Sequence, residues 1–310
     1  MATPQAPQYI GRRLPGPQPG RPRHVVARLL DERDPTGGRP KAALFLLHPG
    51  PSLLVTGVTV GAAAMALRAV PSPTLALRLV LLMLPAQFAI GTANDLADLG
   101  SDRAAKPHKP LARGAVPWRW AVALTVVLSA VSLSSAGSFG WAVLLATAVG
   151  LGAGLAYDVG LKRGLASWLP WWAGFTALPI CAFTAAGRFT PALWWCVPLT
   201  ALLALGLHCA NALPDLDGDR RAGVRNLPVR LGESRTRALM VASLGACTAL
   251  TVVLAIALHQ GGAPLPMAWA LMLLCLAAAS LLPRLRRTPF PLLALASAAL
   301  AVAWLASLPV

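Results

Sequence analysis

Two short runs of carboxylate and amide side chains carry the chemistry that this sequence can support. Each run ends an apolar stretch and has the spacing N-x3-D-x3-D-R, so the two align without a gap: Asn94, Asp98, Asp102 and Arg103 with Asn211, Asp215, Asp219 and Arg220. Side chains four residues apart lie on one face of a helix. An aspartate at the middle of a bilayer costs about 2.5–3.5 kcal/mol on insertion scales. Such runs are therefore expected only where they face water, protein cations or a bound metal.

The residue types favour magnesium as that metal. Asp and Asn oxygens without nearby His or Cys suit a hard cation, and Mg²⁺ commonly binds through a few carboxylates together with phosphate oxygens. Basic residues that could take the remaining phosphate oxygens follow each run: Lys106, Lys109 and Arg113 after the first, and Arg221, Arg225 and Arg230 after the second. Two such runs that face each other would hold one diphosphate from both sides.

A diphosphate held at the edge of an apolar region indicates an isoprenyl diphosphate, whose tail prefers the membrane and whose head prefers metal and cations. Metal ions and basic side chains stabilise the departing diphosphate, which accelerates ionisation of the C–O bond. The allylic cation that results requires a dry pocket with aromatic faces. The sequence therefore predicts ionisation of an isoprenyl diphosphate within a membrane.

The elements that position the two runs are predicted to be transmembrane helices. Of the 310 residues, 56% are hydrophobic and only 12% are charged, against roughly 25% charged in soluble domains. Nine apolar stretches have about the length that crosses a bilayer as a helix: residues 43–66, 73–94, 118–136, 139–157, 167–187, 191–213, 238–258, 265–282 and 290–308. The predicted fold is all-α, a polytopic bundle of nine transmembrane helices around a central cavity. The two runs then end the second and the sixth helix.

The distribution of charge predicts the orientation of this bundle. With the N-terminus inside, every acidic residue and every Lys or Arg except Arg68, Arg78 and Arg188 falls at the inner face. We therefore expect a multi-pass protein of the plasma membrane whose active site faces the cytoplasm.

The composition also excludes other classes of protein. The net charge of +16 is assigned to loops at the inner surface and not to nucleic-acid binding, and Arg284, Arg286 and Arg287 are expected to be such anchors. The five cysteines lie in apolar stretches without a CxxC pair, so they are expected to be buried thiols. Residues 1–41 are predicted to be a disordered, basic, Pro-rich cytoplasmic tail, and residues 42–310 to be the membrane domain.

These residues resemble the motifs of a known family. Asn94-Asp95-Leu96-Ala97-Asp98 is similar to the NDxxD first motif of the UbiA superfamily of intramembrane prenyltransferases, and Asp215-Leu216-Asp217-Gly218-Asp219 is similar to its DxxxD second motif. Tyr157, with Lys162 and Arg163 after the fourth stretch, resembles its tyrosine-plus-lysine inner loop. The resemblance covers about residues 43–308, and nine helices with motifs after the second and sixth is also that family's architecture.

The resemblance implies roles for individual residues. Asn94, Asp98, Asp215 and Asp219 would be Mg²⁺ ligands, and Asp95, Asp102 and Asp217 would be ligands or their immediate neighbours. Arg103, Lys109, Lys162, Arg163 and Arg220 would bind the diphosphate. Asp98, Asp215 and Tyr157 would be the catalytic residues, with Tyr157 near the reacting carbon or the leaving group. Many members open the first helix with Arg-Pro, whereas this chain has His48-Pro49, so the role of His48 stays open.

The remaining substrate contacts are predicted from residue type and position. The segment around Trp172 and Phe175 is dense in aromatic rings, which favours either an interfacial belt or a lining for the isoprenyl group. Asn211 and His48 are expected to face the prenyl group or the acceptor. His208, one turn before Asn211, is expected to be buried and hydrogen-bonded in preference to acting as a base.

Three functions follow from these observations. The favoured one is a Mg²⁺-dependent prenyltransferase that moves an isoprenyl group from its diphosphate to an aromatic or other lipophilic acceptor. The alternative is a UbiA-type terpene cyclase, in which the chain's own double bond captures the cation. The third is a transporter. Two observations argue against it: both runs lie on one face of the membrane, and the third, fifth, seventh, eighth and ninth stretches contain no acidic residue. The acceptor, the prenyl chain length and the oligomeric state stay open.

Overall fold

A computed structural model describes residues 44–309 of the chain. Within this range the regular secondary structure is entirely helical, which confirms the all-α prediction. Nine apolar helices follow one another in residues 44–309: α1 Pro49–Leu67, α2 Pro73–Ala97, α3 Trp118–Gly137, α4 Trp141–Val159, α5 Leu169–Ala185, α6 Cys196–Ala212, α7 Leu227–Ala257, α8 Pro264–Leu281 and α9 Phe290–Ser307. The predicted tail, residues 1–41, lies outside the described residues.

The chain is a multi-pass membrane protein by the length and composition of these helices. Among the described residues, eight helices are long and apolar enough to cross a membrane, α6 with its flanking turns among them, and α5 is a shorter apolar helix of 17 residues. Nine crossings, a central cavity and a cytoplasmic N-terminus stay predictions.

Two helices begin at places that the apolar pattern did not predict. α1 begins at Pro49 and not at residue 43, because His48 has a left-handed backbone (φ 49°) and Pro49 is suited to the first helical position. α7 begins at Leu227, 11 residues before the predicted 238, since the side chain of Asn226 accepts a hydrogen bond from the amide of Val229 at 3.0 Å. A kink at Gly232 (φ 74°) follows. A hydropathy pattern does not detect the start of a helix whose first turns are polar, as those of α7 are.

The helices pack in one bundle, in which α1 also contacts α5. Neighbours along the chain contact each other from α1 to α9, α2 also packs on α4, and α9 returns to contact α1 and α6. The largest buried core lies among α6 to α9, where Met240, Leu244, Met272 and Leu293 are fully buried. Because α2 packs on α4, the first acidic run and Tyr157 lie at the ends of two helices in contact.

Glycines allow close approach at two of these helix contacts, as is common between membrane helices. A Cβ at Gly206 of α6 would lie 2.6 Å from Cγ of Leu244 in α7, and a Cβ at Gly154 of α4 would overlap Ile90 of α2. Gly154 and Ile90 each lie one turn before a predicted site residue, Tyr157 and Asn94. The contact between α4 and α2 therefore sets the spacing of the site.

Candidate active site

The first acidic run is divided between two helices. α2 ends at Ala97, Asp98 has non-helical dihedral angles (φ −91°, ψ 2°), and a short helix, Leu99–Ala105, follows. Asp95 and Asp102 are buried, with 2% and 4% exposure, whereas Asp98 is partly exposed. The break at Asp98 gives the carboxylates of this run different surroundings, although the sequence pattern predicts one continuous face.

Lys109 pairs with both buried carboxylates. Its ammonium group donates to Oδ1 of Asp95 at 2.9 Å and to Oδ2 of Asp102 at 2.6 Å. Burial by itself lowers the pKa of Lys109, but the hydrogen bonds that Lys109 donates to Asp102 and Asp95 outweigh it and leave that pKa raised. The lysine therefore stays charged and compensates two carboxylates that are removed from water.

His48 also contacts this group. Its Nε2 lies 3.1 Å from Oδ1 of Asp95, and its left-handed backbone directs the chain into α1. The ring packs on Gly91 of α2, where a Cβ would lie 3.0 Å from Cδ2 of the imidazole. His48, whose role the sequence leaves open, is thus held between a glycine and a carboxylate of the first motif.

The turn after α4 connects the two acidic runs. Lys162, in the 3₁₀ turn Leu161–Arg163, donates to Oδ1 of Asp98 at 2.7 Å. In the same turn, the carbonyl of Arg163 accepts a hydrogen bond of 3.3 Å from the amide of Arg225, which follows the second run. One three-residue turn therefore contacts both halves of the site.

The second run continues beyond α6 into a 3₁₀ turn, Leu213–Asp215, and a short helix, Leu216–Arg221. Asp215 is exposed, Asp219 is partly buried, and the charge of Asp215 acts on Asp219. Within residues 44–309 neither carboxylate has an ion-pair partner. Asp215 and Asp219 therefore differ from Asp95, Asp98 and Asp102, each of which has an ion-pair partner.

Several predicted residues of the site are open to solvent. The side chain of Asp217 is 86% exposed and lies 3.4 Å from the guanidinium of Arg220, in a contact of the kind that contributes little in water. Asn211, Arg103 and Arg163 are exposed, and the two arginines form no ion pair among the described residues. Both guanidinium groups could bind an anion.

Tyr157 lies between the two runs. It is in the last turn of α4, and the charges of Asp98, from the first run, and Asp219, from the second, both act on its phenol. The next residue, Asp158, is 3% exposed, and its Oδ2 has no hydrogen-bond partner among the described residues. The end of α4 therefore lies near one carboxylate from each run.

An aromatic cluster lies beside Tyr157, and its centre is a residue that the sequence analysis did not single out. The indole of Trp171 is next to the Tyr157 phenol and meets Phe175, His208 and Phe290 edge to face, at ring-centroid distances of 6.0, 5.8 and 6.1 Å. The spacing of Trp171 and Phe175, four residues apart on α5, is the signal that could have identified it.

Two other residues near this cluster have separate partners. Trp172 stacks on Trp168 at 5.9 Å and donates to the carbonyl of Val197 at 2.8 Å. His208 is 3% exposed, and its Nε2 lies 2.8 Å from Oγ of Ser167. The expectation of a buried, hydrogen-bonded histidine is confirmed.

Comparisons with known proteins place this geometry in context. The UbiA prenyltransferase family model matches residues 54–289. The Bacteriochlorophyll synthase 33 kDa chain of Rhodobacter capsulatus is 30% identical over 178 residues, which are 52% of this chain and 57% of that protein. Digeranylgeranylglyceryl phosphate synthase of Natronomonas pharaonis is 29% identical over 204 residues, 64% of this chain and 72% of that protein.

A solved structure shows the same fold. The structure of a UbiA homologue from Archaeoglobus fulgidus bound to GPP and Mg²⁺ has a TM-score of 0.65 and 20% identity, and the match covers 84% of this chain and 99% of that one. The chain spans little more than half the length of the first curated relatives that it matches, 57% and 53%.

Proposed function

The chain belongs to the UbiA prenyltransferase family, and from this premise we propose that it is an intramembrane prenyltransferase. Its substrate is an isoprenyl diphosphate, and the isoprenyl group passes to an aromatic or other lipophilic acceptor. The protein acts in the plasma membrane with its site toward the cytoplasm, because the basic loops lie at that end of the bundle.

The observation that carries this proposal is the turn Leu161–Arg163. It contacts Asp98 through the side chain of Lys162 and the segment after the second run through the carbonyl of Arg163. These two contacts link segments that are distant in the sequence, and they support a single site that includes both acidic runs and Tyr157. A site with carboxylates on both sides and basic residues between them suits a diphosphate that is bound through a metal.

The donor set fits Mg²⁺. Within residues 44–309 no group of three His, Cys, Asp or Glu side chains forms a metal site alone, but Mg²⁺ commonly takes one or two carboxylates and completes its shell with water and phosphate oxygens. Asp215 and Asp219 repel each other, and neither forms an ion pair among the described residues. A divalent ion bound between them would remove this repulsion. Asn94, Asp98, Asp215 and Asp219 would hold the metal, with Asp95, Asp102 and Asp217 as ligands or neighbours. When bound, Mg²⁺ supplies positive charge that stabilises the departing diphosphate.

The chain's own cations would bind the same leaving group. Arg103 and Arg163 are exposed and free to contact phosphate oxygens, and Lys162 and Lys109 lie in the site beside their carboxylates. Arg220 would also contact the diphosphate, because its link to Asp217 is weak. Concentrated positive charge lowers the energy of the departing diphosphate more than that of the intact substrate.

The aromatic cluster would receive the other end of the substrate. The faces of Trp171 and Phe175 would suit a developing allylic cation, since Trp171 lies next to Tyr157 and packs on Phe175. Contacts of Trp172, Asn211 and His48 with the prenyl group or the acceptor remain part of the proposal. An aromatic pocket serves transfer and cyclisation equally, so the acceptor decides between them.

The test is an incubation of the purified full chain with C10, C15 and C20 isoprenyl diphosphates, with Mg²⁺ or with a chelator, and with or without acceptors. The acceptors are a phenolic acid, a glyceryl phosphate and a chlorophyll precursor. Products are identified by mass, and diphosphate release is measured. We expect release that requires Mg²⁺ and a prenylated product that requires an acceptor. A cyclic hydrocarbon without acceptor would assign the cyclase instead, and unchanged release in Asp98→Ala or Asp215→Ala would refute both.

A further inference from the structure

A cleft opens on the surface of the bundle between α7 and the corner that joins α8 to α9. Its volume is about 750 Å³, and its lining includes Glu233, Arg237 and Arg286 at one end and Ala238, Val241 and Ala242 along α7. A second cleft of about 490 Å³ shares the three charged residues and adds Arg287. Together they form one depression, which we call the arginine cleft.

Arg237 is the most constrained residue of the arginine cleft. Its side chain is 15% exposed, and its guanidinium donates to Oε1 of Glu233 at 2.8 Å and to the carbonyl of Arg286 at 2.9 Å. Its Nε is buried and has no hydrogen-bond partner among the described residues. A guanidinium has five N–H donors in a fixed plane. The side chain of Arg237 is therefore held in one orientation and still has N–H groups that form no hydrogen bond within residues 44–309.

The charge of the cleft is unbalanced. Arg286 and Arg287, on the short helix Pro283–Arg287, are exposed and have no ion-pair partner within residues 44–309. Three arginines therefore meet a single carboxylate, that of Glu233. A site with this excess of positive charge attracts an anion, and arginine is the side chain best suited to phosphate.

The other wall of the cleft is apolar. Ala238, Val241 and Ala242 are spaced by three and four residues, so they lie on one face of α7 and continue from the arginines toward the hydrocarbon region. Simple interfacial anchoring, which the sequence indicates for these arginines, requires neither an oriented guanidinium nor an apolar wall. Arg284 is on the same short helix and lines neither cleft, which distinguishes a site from a general basic surface.

We propose that the arginine cleft binds one anionic phospholipid. The phosphate of the headgroup contacts Arg237, Arg286 and Arg287, and an acyl chain lies along Ala238 and Val241. Basic pockets between membrane helices bind such headgroups in the same way. The cleft is also lined by Leu213 and Pro214, which immediately precede Asp215, so the lipid contacts the turn that carries the second acidic run.

The test is native mass spectrometry of the full chain in detergent, titrated with phosphatidylglycerol and with phosphatidylcholine of the same acyl chains. We expect one phosphatidylglycerol to bind more tightly than phosphatidylcholine. Arg286→Gln retains the carbonyl that Arg237 uses, and it should weaken this binding about fivefold, since one basic residue near a membrane surface contributes about 1 kcal/mol. The matched control, Arg284→Gln, should leave the binding unchanged.

Three results would overturn the proposal. Equal binding of the two lipids would exclude an anionic site, and an equal loss in Arg284→Gln would show only diffuse surface charge. A third arm uses inorganic diphosphate: if it binds as tightly as phosphatidylglycerol and suffers the same loss in Arg286→Gln, the cleft binds free phosphates and not a lipid. Arg287→Gln repeats the test with a second lining residue should Arg286→Gln fail to fold.

Discussion

Replacing Gly154 with alanine should loosen the contact between α4 and α2 and lower both the thermal stability and the rate of diphosphate release. A Cβ at this position would overlap Cδ1 of Ile90 and lie 2.7 Å from Cγ1 and 3.2 Å from Cγ2 of that residue. Rotation of the terminal methyl group cannot relieve all three contacts, because a β-branched side chain in a helix is largely confined to one rotamer. The two helices must therefore move apart.

The expected magnitude follows from two opposing effects. Overpacking a well-packed contact costs about 1–3 kcal/mol, whereas alanine is favoured over glycine within a helix by about 0.5–1 kcal/mol. Gly152 of α4 is the matched control, because a Cβ there meets nothing within 4 Å. Gly152→Ala has only the favourable effect, so the free energies of unfolding of the two variants should differ by about 1–3 kcal/mol.

The effect on catalysis has the same origin. Gly154 lies one turn before Tyr157, and Ile90 lies one turn before Asn94, so separation of the helices changes the distance across the site. Thermal unfolding in detergent, followed by tryptophan fluorescence, and Mg²⁺-dependent diphosphate release measure the two effects. Ile90→Ala in the Gly154→Ala chain removes the overlapping atoms and should restore part of the release. If Gly154→Ala melts and turns over like Gly152→Ala, the reasoning is wrong.

Three further predictions concern the charged groups of the site. Lys109→Met should lower stability by about 3 kcal/mol, because it removes the nearest cation from two buried carboxylates. Asp95 is then left with His48, and Asp102 with Lys106 at 4.0 Å. Thermal unfolding measures this loss, and Lys109→Arg should recover most of it. Gly91→Ala should raise the KM for isoprenyl diphosphate, because its Cβ would lie 3.0 Å from the ring of His48 and displace it. Steady-state kinetics should show the same change in His48→Ala. An unchanged KM in both variants would exclude a role for this contact. Asp219→Asn should reduce diphosphate release at least about tenfold more than Asp217→Asn. Asp219 is a proposed metal ligand, whereas the side chain of Asp217 is 86% exposed and lies at the edge of the site. Equal losses in the two variants would contradict this assignment.

The sequence was sufficient to predict the fold class and the family. An all-α membrane protein follows from the length and hydropathy of the apolar stretches, which are local properties of the chain. The two acidic runs and the basic residues after them are also local patterns, and they point to metal and diphosphate without any knowledge of packing. The beginnings of α1 and α7 are exceptions: α1 begins only after the left-handed His48, and the polar first turns of α7 depend on the cap at Asn226.

Only the tertiary structure decided which partner each of these side chains has. Asp95 and Asp102 share Lys109, whereas Asp98, in the same run, pairs with Lys162, because α2 ends at Ala97 and the turn after α4 approaches from another part of the chain. The central position of Trp171 and the contact of His48 with Asp95 likewise depend on helices that are distant in sequence. A sequence pattern records spacing along one element, but the pairing of charges depends on how separate elements pack against each other.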